Sequence, residues 1–535
     1  MDKVVFIISK IVFGICTVFL LGVLIMYSSA PHLCKNPFLP INFLVVAGAL
    51  LLTVLVAMLI YHTRAARSAA FAKLQNFALF NKCKIDYFVI AASILLFAAK
   101  IFIAFCIYFE TGWDVKNTTA ASELLAFGST DGFIEEYYFG MYPNNLFYVF
   151  IQAIILKIAS PFSIFESYKM MPVIIVNCAL ASSACYLTYK TTALYTRKRY
   201  AFGAFILAVL TFGISPWAII PYTDSFGIIF PIASFYLFVK PAKSDKSKYI
   251  NIGFATLLAI FGYLIKPQCL IIVIALLIFE FIYAFRKIHI KNFIKPVAIL
   301  LAVCIISPLI TLGVTQVAVI NGVEVDPGKK FGPAHYFMMG LNTDRQGVWA
   351  EEDVEFSKMF ISTRARNQAD LERAFNRLEN MEDGEYTELL RNKILITLND
   401  GTYAWGQEGG FFDGKSEPAK NNFELKLRSY VYMWDENYKS FSYFSHIVWI
   451  TIFLLSTVSV IFKASDEKGR KEIPVLMLAI LGLILFELLF EARARYIYTY
   501  LPVFCILAAL GANGAVHKIG LYLDHKKHSK EFDFY

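Results

Sequence analysis

Two carboxylates and three cations stand at the ends of long apolar runs, and their types suit moving a group from a phosphate to a hydroxyl. Asp114 lies in Glu110-Thr-Gly-Trp-Asp-Val-Lys-Asn, just past the apolar run Tyr87 to Phe109. Asp224 lies in Pro221-Tyr-Thr-Asp-Ser, between two further runs. A carboxylate at the mouth of a membrane helix is costly unless it faces water, a metal or a partner. Asp also favours helix N-caps, so each is open to a capping role as well as a chemical one. Lys266 precedes Pro267, and Arg493 and Arg495 sit in Phe490-Glu491-Ala-Arg-Ala-Arg-Tyr496. A lysine at a helix end often snorkels, and the arginines could simply pair with Glu491. Arginine, however, grips phosphate through two parallel hydrogen bonds and stays charged. A carboxylate can serve as general base or position an acceptor, and cations can stabilise charge on a departing phosphate. Tyr142, Asn144 and Asn145 in Met141-Tyr-Pro-Asn-Asn, together with His335, Asp344 and Glu491, are weaker candidates for the pocket. Pro143 near a helix start and a satisfied loop histidine are the plain alternatives for those residues.

The elements that must position these groups are membrane helices. The chain has 535 residues, 58% of them apolar, with 50 Phe and a mean hydropathy of +0.57. Runs of about 20 apolar residues, enough to cross the ~30 Å hydrocarbon layer, recur along the sequence. The expected fold is an all-α polytopic membrane protein, not a β-barrel, whose strands would alternate over ~10 residues. Thirteen runs can be drawn, at 4–27, 41–61, 87–109, 144–160, 170–190, 200–220, 225–240, 249–265, 268–285, 297–319, 444–463, 473–490 and 496–515. The first exceeds a 7–15-residue signal-peptide core and reads as a retained helix. Most of the nine Cys fall within apolar runs, as small core residues do.

Lys/Arg clusters mark cytoplasmic loops. They occur at Arg64/Arg67/Lys73, Arg197-Lys-Arg199, Lys240/Lys243/Lys246/Lys248, Arg286/Lys287 and Lys463/Lys468/Arg470/Lys471, with more in the tail. Both termini therefore read as cytoplasmic. The five charged candidates and residues 320–443 fall on the other face. Thirteen crossings would separate the termini, so the stretch 144–190, which contains Ser160-Pro161, is expected to cross once with a broken or re-entrant piece. That gives about 12 transmembrane helices, within a range of about 11–13. Segment 320–443 holds 21 of the 41 acidic residues and 15 of the 50 basic ones. The net charge of +9 is thus positive-inside bias plus an acidic external domain, and nucleic acid is not an expected partner. The expected units are 1–86, a hairpin and basic loop; 87–319, a transmembrane module with the external loop 110–143; 320–443, a helical extracytoplasmic domain; and 444–535, the last helices and a basic tail.

The arrangement resembles the GT-C superfamily of polyprenyl-phosphate-sugar-dependent glycosyltransferases, the class of the protein O-mannosyltransferases and the lipid A aminoarabinose transferase. The features that carry the resemblance are the acidic loop with Asp114, the second Asp at 224, the Lys266-Pro267 turn, the Glu491-x-Arg-x-Arg-Tyr turn and the large loop 320–443. They span about residues 87–515 and are short patterns, not close identity. In the mannosyltransferase pattern Glu follows the Asp; here Val115 does, which leaves the acceptor and a divalent cation open. The resemblance implies an inverting hexosyltransferase in the cell membrane, as in bacterial family members. Its donor would be a polyprenyl-phosphate sugar and its acceptor an envelope glycopolymer, lipid or protein. It also implies Asp114 as base or acceptor-positioning group, Asp224 as a second site carboxylate, and Lys266, Arg493 and Arg495 on the donor phosphate. A polysaccharide polymerase or a lipid-linked oligosaccharide flippase is the alternative. The flippase calls for ionisable residues at mid-membrane depth, whereas Lys10, Lys100, Lys157 and Glu280 are scattered. The reading requires Asp114, Asp224, Lys266 and Arg495 to meet at one end of the bundle.

Overall fold

The computed structural model describes residues 3–29, 45–53, 82–287, 290–414, 416, 418–461 and 472–532. These residues form helices and connecting loops, with no strand among them and one isolated bridge between Phe109 and Ser416. The expected span 41–61 is described only over 45–53, as helix, and the basic loops at Arg64–Lys73 and Lys463–Lys471 lie outside the described residues.

Seven described helices are long and apolar enough to cross a membrane: Ile85–Ile107, Met171–Tyr195, Asp245–Ile265, Pro267–Phe285, Phe293–Ile320, Tyr438–Val460 and Ala494–Val516. Lys10–Met26, Pro143–Ala159, Thr223–Val239 and Ile473–Leu489 are apolar but shorter. The helices used below are α1 (Lys3–Ser29), α2 (Lys82–Ile107), α3 (Trp113–Phe127), α4 (Leu146–Ala159), α5 (Met171–Tyr195) and α6 (Lys198–Ala208). They continue with α7 (Ile229–Val239), α8 (Asp245–Ile265), α9 (Ile271–Lys287), α10 (Ile290–Ile320), α11 (Pro333–Gly340), α12 (Glu351–Lys358), α13 (Thr363–Glu379) and α14 (Glu385–Leu398). Last come α15 (Asn422–Ser429), α16 (Tyr438–Ile461), α17 (Ile473–Leu489) and α18 (Leu501–Phe532). Proline opens several of these or the turns that lead into them, as at Pro172, Pro267, Pro333 and Pro474. That is where its missing N–H costs nothing.

α18 runs through the centre. Leu501, Val503, Phe504, Cys505, Ile506 and Leu510 on it are fully buried. α10 lies at the edge and exposes Leu301, Ile305, Leu309 and Leu312. In water that face would be a large unpartnered apolar patch; in a bilayer it is an ordinary lipid-facing surface.

Two of the thirteen runs depart from simple spans. The first is 144–160, whose helix α4 has 14 residues. α4 lies along α3, through Ala126, Ala153, Leu156, Met170 and Val173. The chain after it returns to the end of α2: the Tyr168 ring packs edge-on against Phe105 and Tyr108, and the Met170 N–H donates to the Tyr108 hydroxyl at 3.4 Å. Both ends of α4 therefore sit at one end of the bundle. α5 then runs its length, so that Tyr189 donates to Asp86 near the start of α2 at 2.7 Å. The second is 200–220. α6 stops at Ala208, a single wide turn follows over Val209–Gly213, and a tight turn at Pro216–Ile219 leads to the far end. The carbonyls freed by this break face the buried Lys100, whose Nζ donates to Gly213 at 2.6 Å and Ser215 at 3.3 Å. Unpaired backbone is tolerated at this depth only when another protein group satisfies it.

A second lysine works the same way where the loop-rich domain meets the bundle. Lys393 on α14, fully buried, donates to the carbonyls of Gly340, Leu488 and Phe490 at 2.7–2.8 Å. Gly340 is glycine because a Cβ would come within 2.8 Å of the Leu489 and Phe490 carbonyls. α11 and α14 are thereby clamped to the end of α17, next to the Glu491–Arg495 turn. Lys393→Met should cost about 3 kcal/mol or more, because three charge-assisted bonds of roughly 1.5–3 kcal/mol each are lost and three carbonyls are left unpaired. Thermal unfolding in detergent should show a clear drop for this variant and none for Lys439→Met, whose side chain is exposed.

Candidate active site

Asp114 is placed by a locked loop. The Thr111 hydroxyl donates to the Phe411 carbonyl at 2.5 Å and the Gly112 N–H to the Gly410 carbonyl at 2.9 Å. A Cβ on Gly112 would strike that same carbonyl. Trp113 then takes φ 44°, a left-handed value that is strained for so bulky a residue. α3 begins at this kink, and Asp114 falls in its first turn, where the helix dipole favours an anion. Its Oδ2 accepts from the Tyr222 hydroxyl at 2.9 Å, and Tyr138 is a second hydroxyl partner. Asn145 donates through Nδ2 to the Tyr138 oxygen at 2.9 Å, so that phenol is left to donate to the carboxylate. Burial pushes the Asp114 carboxyl up, while Arg495 and the two phenols restrain it. Burial also pushes Tyr138 and Tyr222 far above the usual phenol range, so both remain donors.

Beside this carboxylate lies a closed ion cluster. Asp224 is fully buried in the short helix Thr223–Gly227. Its Oδ1 pairs with the Lys266 ammonium and its Oδ2 accepts from Arg495 Nη1 at 2.9 Å. Lys266 sits where Pro267 turns the chain out of α8, with its Nζ 4.6 Å from the centre of the Tyr496 ring. The Arg495 guanidinium is boxed by the rings of Trp113 at 4.9 Å, Tyr496 at 5.0 Å and Tyr222 at 5.7 Å. Its Nε donates to Glu408 at 2.8 Å. The same carboxylate lies 3.6 Å from Arg493, which also pairs with Glu491 at 3.3 Å. Glu491 in turn accepts from the Tyr496 hydroxyl at 3.0 Å. Burial alone would raise the Glu408 carboxyl, but Arg495 and Arg493 override it and hold it below its usual value.

The structure thus brings together Asp114, Asp224, Lys266, Arg493, Arg495 and Glu491, from four separate stretches of sequence. Asn145 and Tyr142 stand one layer back: Tyr142 packs against Tyr138 and, edge-on, against Phe331. Asn144 is exposed at the rim and donates to Asn145 at 3.3 Å. His335 and Asp344 do not join the cluster. Asp344 is exposed. His335 is fully buried, stacked on Phe331 at 4.1 Å and bonded to Ser357, which donates to Asp370. It is a core histidine of the domain formed by α11–α13. Glu408, Tyr138, Tyr222, Trp113 and Tyr496 are site residues that the sequence reading did not single out. Glu408 sits in the aromatic, glycine-rich stretch Thr402–Phe412, and an acidic residue inside such a stretch was the available signal. Among the described residues no three His, Cys, Asp or Glu side chains converge as metal ligands, and the two oxygens of Asp224 are taken by Lys266 and Arg495.

Residues 5–516 match a family described as conserved hypothetical integral membrane protein. The chain belongs to that family. No curated protein matches it. Among solved structures it is similar to the oligosaccharyltransferase AglB of the archaeon Archaeoglobus fulgidus, held with an inhibitory peptide and a dolichol-phosphate, at 14% identity and a TM-score of 0.37. That match covers 82% of this chain and 52% of AglB, so this chain aligns with about half of that protein's length. It is similar also to ArnT of Cupriavidus metallidurans bound to undecaprenyl phosphate, at 11% identity and a TM-score of 0.32, covering 80% of this chain and 77% of ArnT.

The placement of His335 has a measurable consequence. Burial lowers it from 6.5 to about 4, so between those values the unfolded chain binds a proton that the folded one refuses. Stability should fall as pH drops from about 6.5 towards 4, by up to ~3 kcal/mol from this one group. Melting temperature followed against pH should show a shallower slope over that window for His335→Gln than for the parent.

Proposed function

We propose that this integral membrane protein is an inverting GT-C glycosyltransferase that moves a sugar from a polyprenyl phosphate to a hydroxyl of a cell-envelope acceptor on the non-cytoplasmic face. One observation carries the reading: a half-buried carboxylate held by two phenols lies beside buried Lys266 and Arg495, at the end of an apolar bundle. The acceptor oxygen attacks the anomeric carbon and the carbon–oxygen bond to the phosphate breaks. The hydroxyl proton passes to Asp114, and polyprenyl phosphate leaves with the bonding pair. A raised carboxyl is a better proton acceptor than an ordinary one. Arg495, Arg493 and Lys266 would take up the charge on the leaving phosphate. Asp224, with no exposure and two cations on it, positions those cations rather than touching substrate. Glu408 occupies the space between Arg493 and Arg495 and must yield to the phosphate.

About twelve crossings, with both termini on the basic side, belong to this reading; seven described helices are long and apolar enough to cross a membrane and four more are apolar but shorter. The deep Lys100 is bound to backbone carbonyls, which argues against the mid-membrane relay a flippase would use.

Asp114→Asn should lower transfer from a radiolabelled polyprenyl-phosphate sugar by roughly 10²–10⁴-fold. Arg495→Ala should lose about 10²–10³-fold and raise the donor KM. The parent rate should climb with pH through a midpoint above the ordinary Asp value of about 3.9, because only the ionised base accepts the proton. Transfer at the parental rate by both variants overturns the assignment.

A further inference from the structure

A cavity of about 610 Å³ is lined in part by Trp113, whose ring also carries Arg495 of the ion cluster. Its volume lies within the roughly 300–1,000 Å³ range of small-molecule sites. One wall is a face of α3, with Lys116, Thr119, Ala120 and Glu123; the others are 131–135, the start of α5 and the loop Gly409–Gly414. Trp113 and Pro221 both belong to its lining. Pro221 precedes Tyr222, the phenol on Asp114, and Trp113 precedes Asp114 itself. Trp113 is thus both a wall of this cavity and a ring partner of Arg495.

The wall carries a definite chemistry. Among the described lining residues, Glu110, Glu123, Asp131, Glu135 and Asp413 stand against Lys116 and Lys169. Both lysines are already engaged, Lys116 with Glu135 at 2.8 Å and Lys169 with Asp131 at 3.1 Å. The Thr111 hydroxyl and Gly112 N–H are consumed by the carbonyls of Phe411 and Gly410. The lining therefore offers hydrogen-bond acceptors in excess of donors, with the rings of Tyr108, Trp113 and Phe133 between them. An acceptor-rich, aromatic, net-negative wall suits a ligand that donates hydrogen bonds and presents an apolar ring face or a cation. Hydroxyls and amines on a sugar ring meet that description. A peptide backbone brings as many carbonyls as N–H groups, and an anionic polymer is repelled by the field.

Building on the transferase reading, we infer that this cavity is the acceptor site and that the acceptor is a glycan segment, neutral or amine-bearing, and not an anionic polymer. The sugar ring packs on Trp113, its amines or hydroxyls donate to the carboxylates of the wall, and one hydroxyl passes Trp113 to reach Asp114. Charge selects the acceptor here while the donor is held by the cations beside the same indole.

The test is binding without donor, so that it fails separately from sugar transfer. Full-length protein in nanodiscs is titrated at low salt with four hexamers: chitosan, chitin, oligogalacturonate and oligolysine. Chitosan should bind roughly tenfold or more tightly than oligogalacturonate, with chitin between them and oligolysine weaker than chitosan. Asp413→Asn, at an exposed position, and Thr119→Lys, which puts a cation in the wall, should each remove most of the preference for chitosan while the melting temperature holds. Oligogalacturonate binding as well as chitosan overturns the inference, and so does a preference untouched by both variants. Oligolysine binding more tightly than chitosan replaces the glycan with a basic peptide. Sugar transfer or donor hydrolysis by protein that binds none of the four sinks this inference and leaves the transferase reading standing.

Discussion

The contact between Asp224 and its two cations is the constraint on which the rest of this end of the bundle depends. Asp224 comes from the turn before α7, Lys266 from the turn after α8 and Arg495 from the turn before α18. Each is nearly or wholly buried. An ion left unpaired in such a place costs several kcal/mol, whereas the complete set is tolerated. Three helix ends must therefore meet in register for any of the three charges to be affordable. The packing follows: α7 lies against α8, and α18 takes the centre of the bundle.

Around that cluster the structure repeats one device, in which side chains satisfy backbone groups that broken helices leave open. Lys100 does so for the break after α6, and Lys393 does so for the end of α17. Breaks of this kind let the chain place turns, with their polar side chains, at the membrane-end layer. Regular helices would have kept those side chains on separate faces. Lys393 also ties the loop-rich domain to the site, so that Glu408 can reach between Arg493 and Arg495. The site is shared between bundle and domain and is not carried by either alone.

Trp113 stands where three demands meet. Its φ of 44° starts α3 and so aims Asp114 at Tyr222. Its ring carries Arg495, and the residue also lines a cavity. Strain of this sort costs of order 1–3 kcal/mol and persists only where the surroundings over-determine it. Here the locked loop Thr111–Gly112 and the aromatic stretch Trp405–Phe412 do so.

The sequence by itself determined the helical membrane character, the placing of the charged turns at one end of the bundle and the identity of most residues in the ion cluster. The reason is that apolar length and the cost of unpaired charge act locally: a run near 20 residues, and an Asp, Lys or Arg at its end, are visible without knowing their neighbours. What only the tertiary structure decided is which of these groups touch. Glu408 stood apart from the 20 other acidic residues of segment 320–443 only by its aromatic, glycine-rich neighbours, and its partners are two arginines more than 80 positions away. His335 looked like a pocket residue beside glycine and aromatics, yet those aromatics form the core that buries it. Run 144–160 read as a span by composition, but its helix α4 has only 14 residues and packs along α3 through its own apolar face. Asp224 read as a second site carboxylate, and only the tertiary structure shows it fully buried, with one oxygen on Lys266 and the other on Arg495.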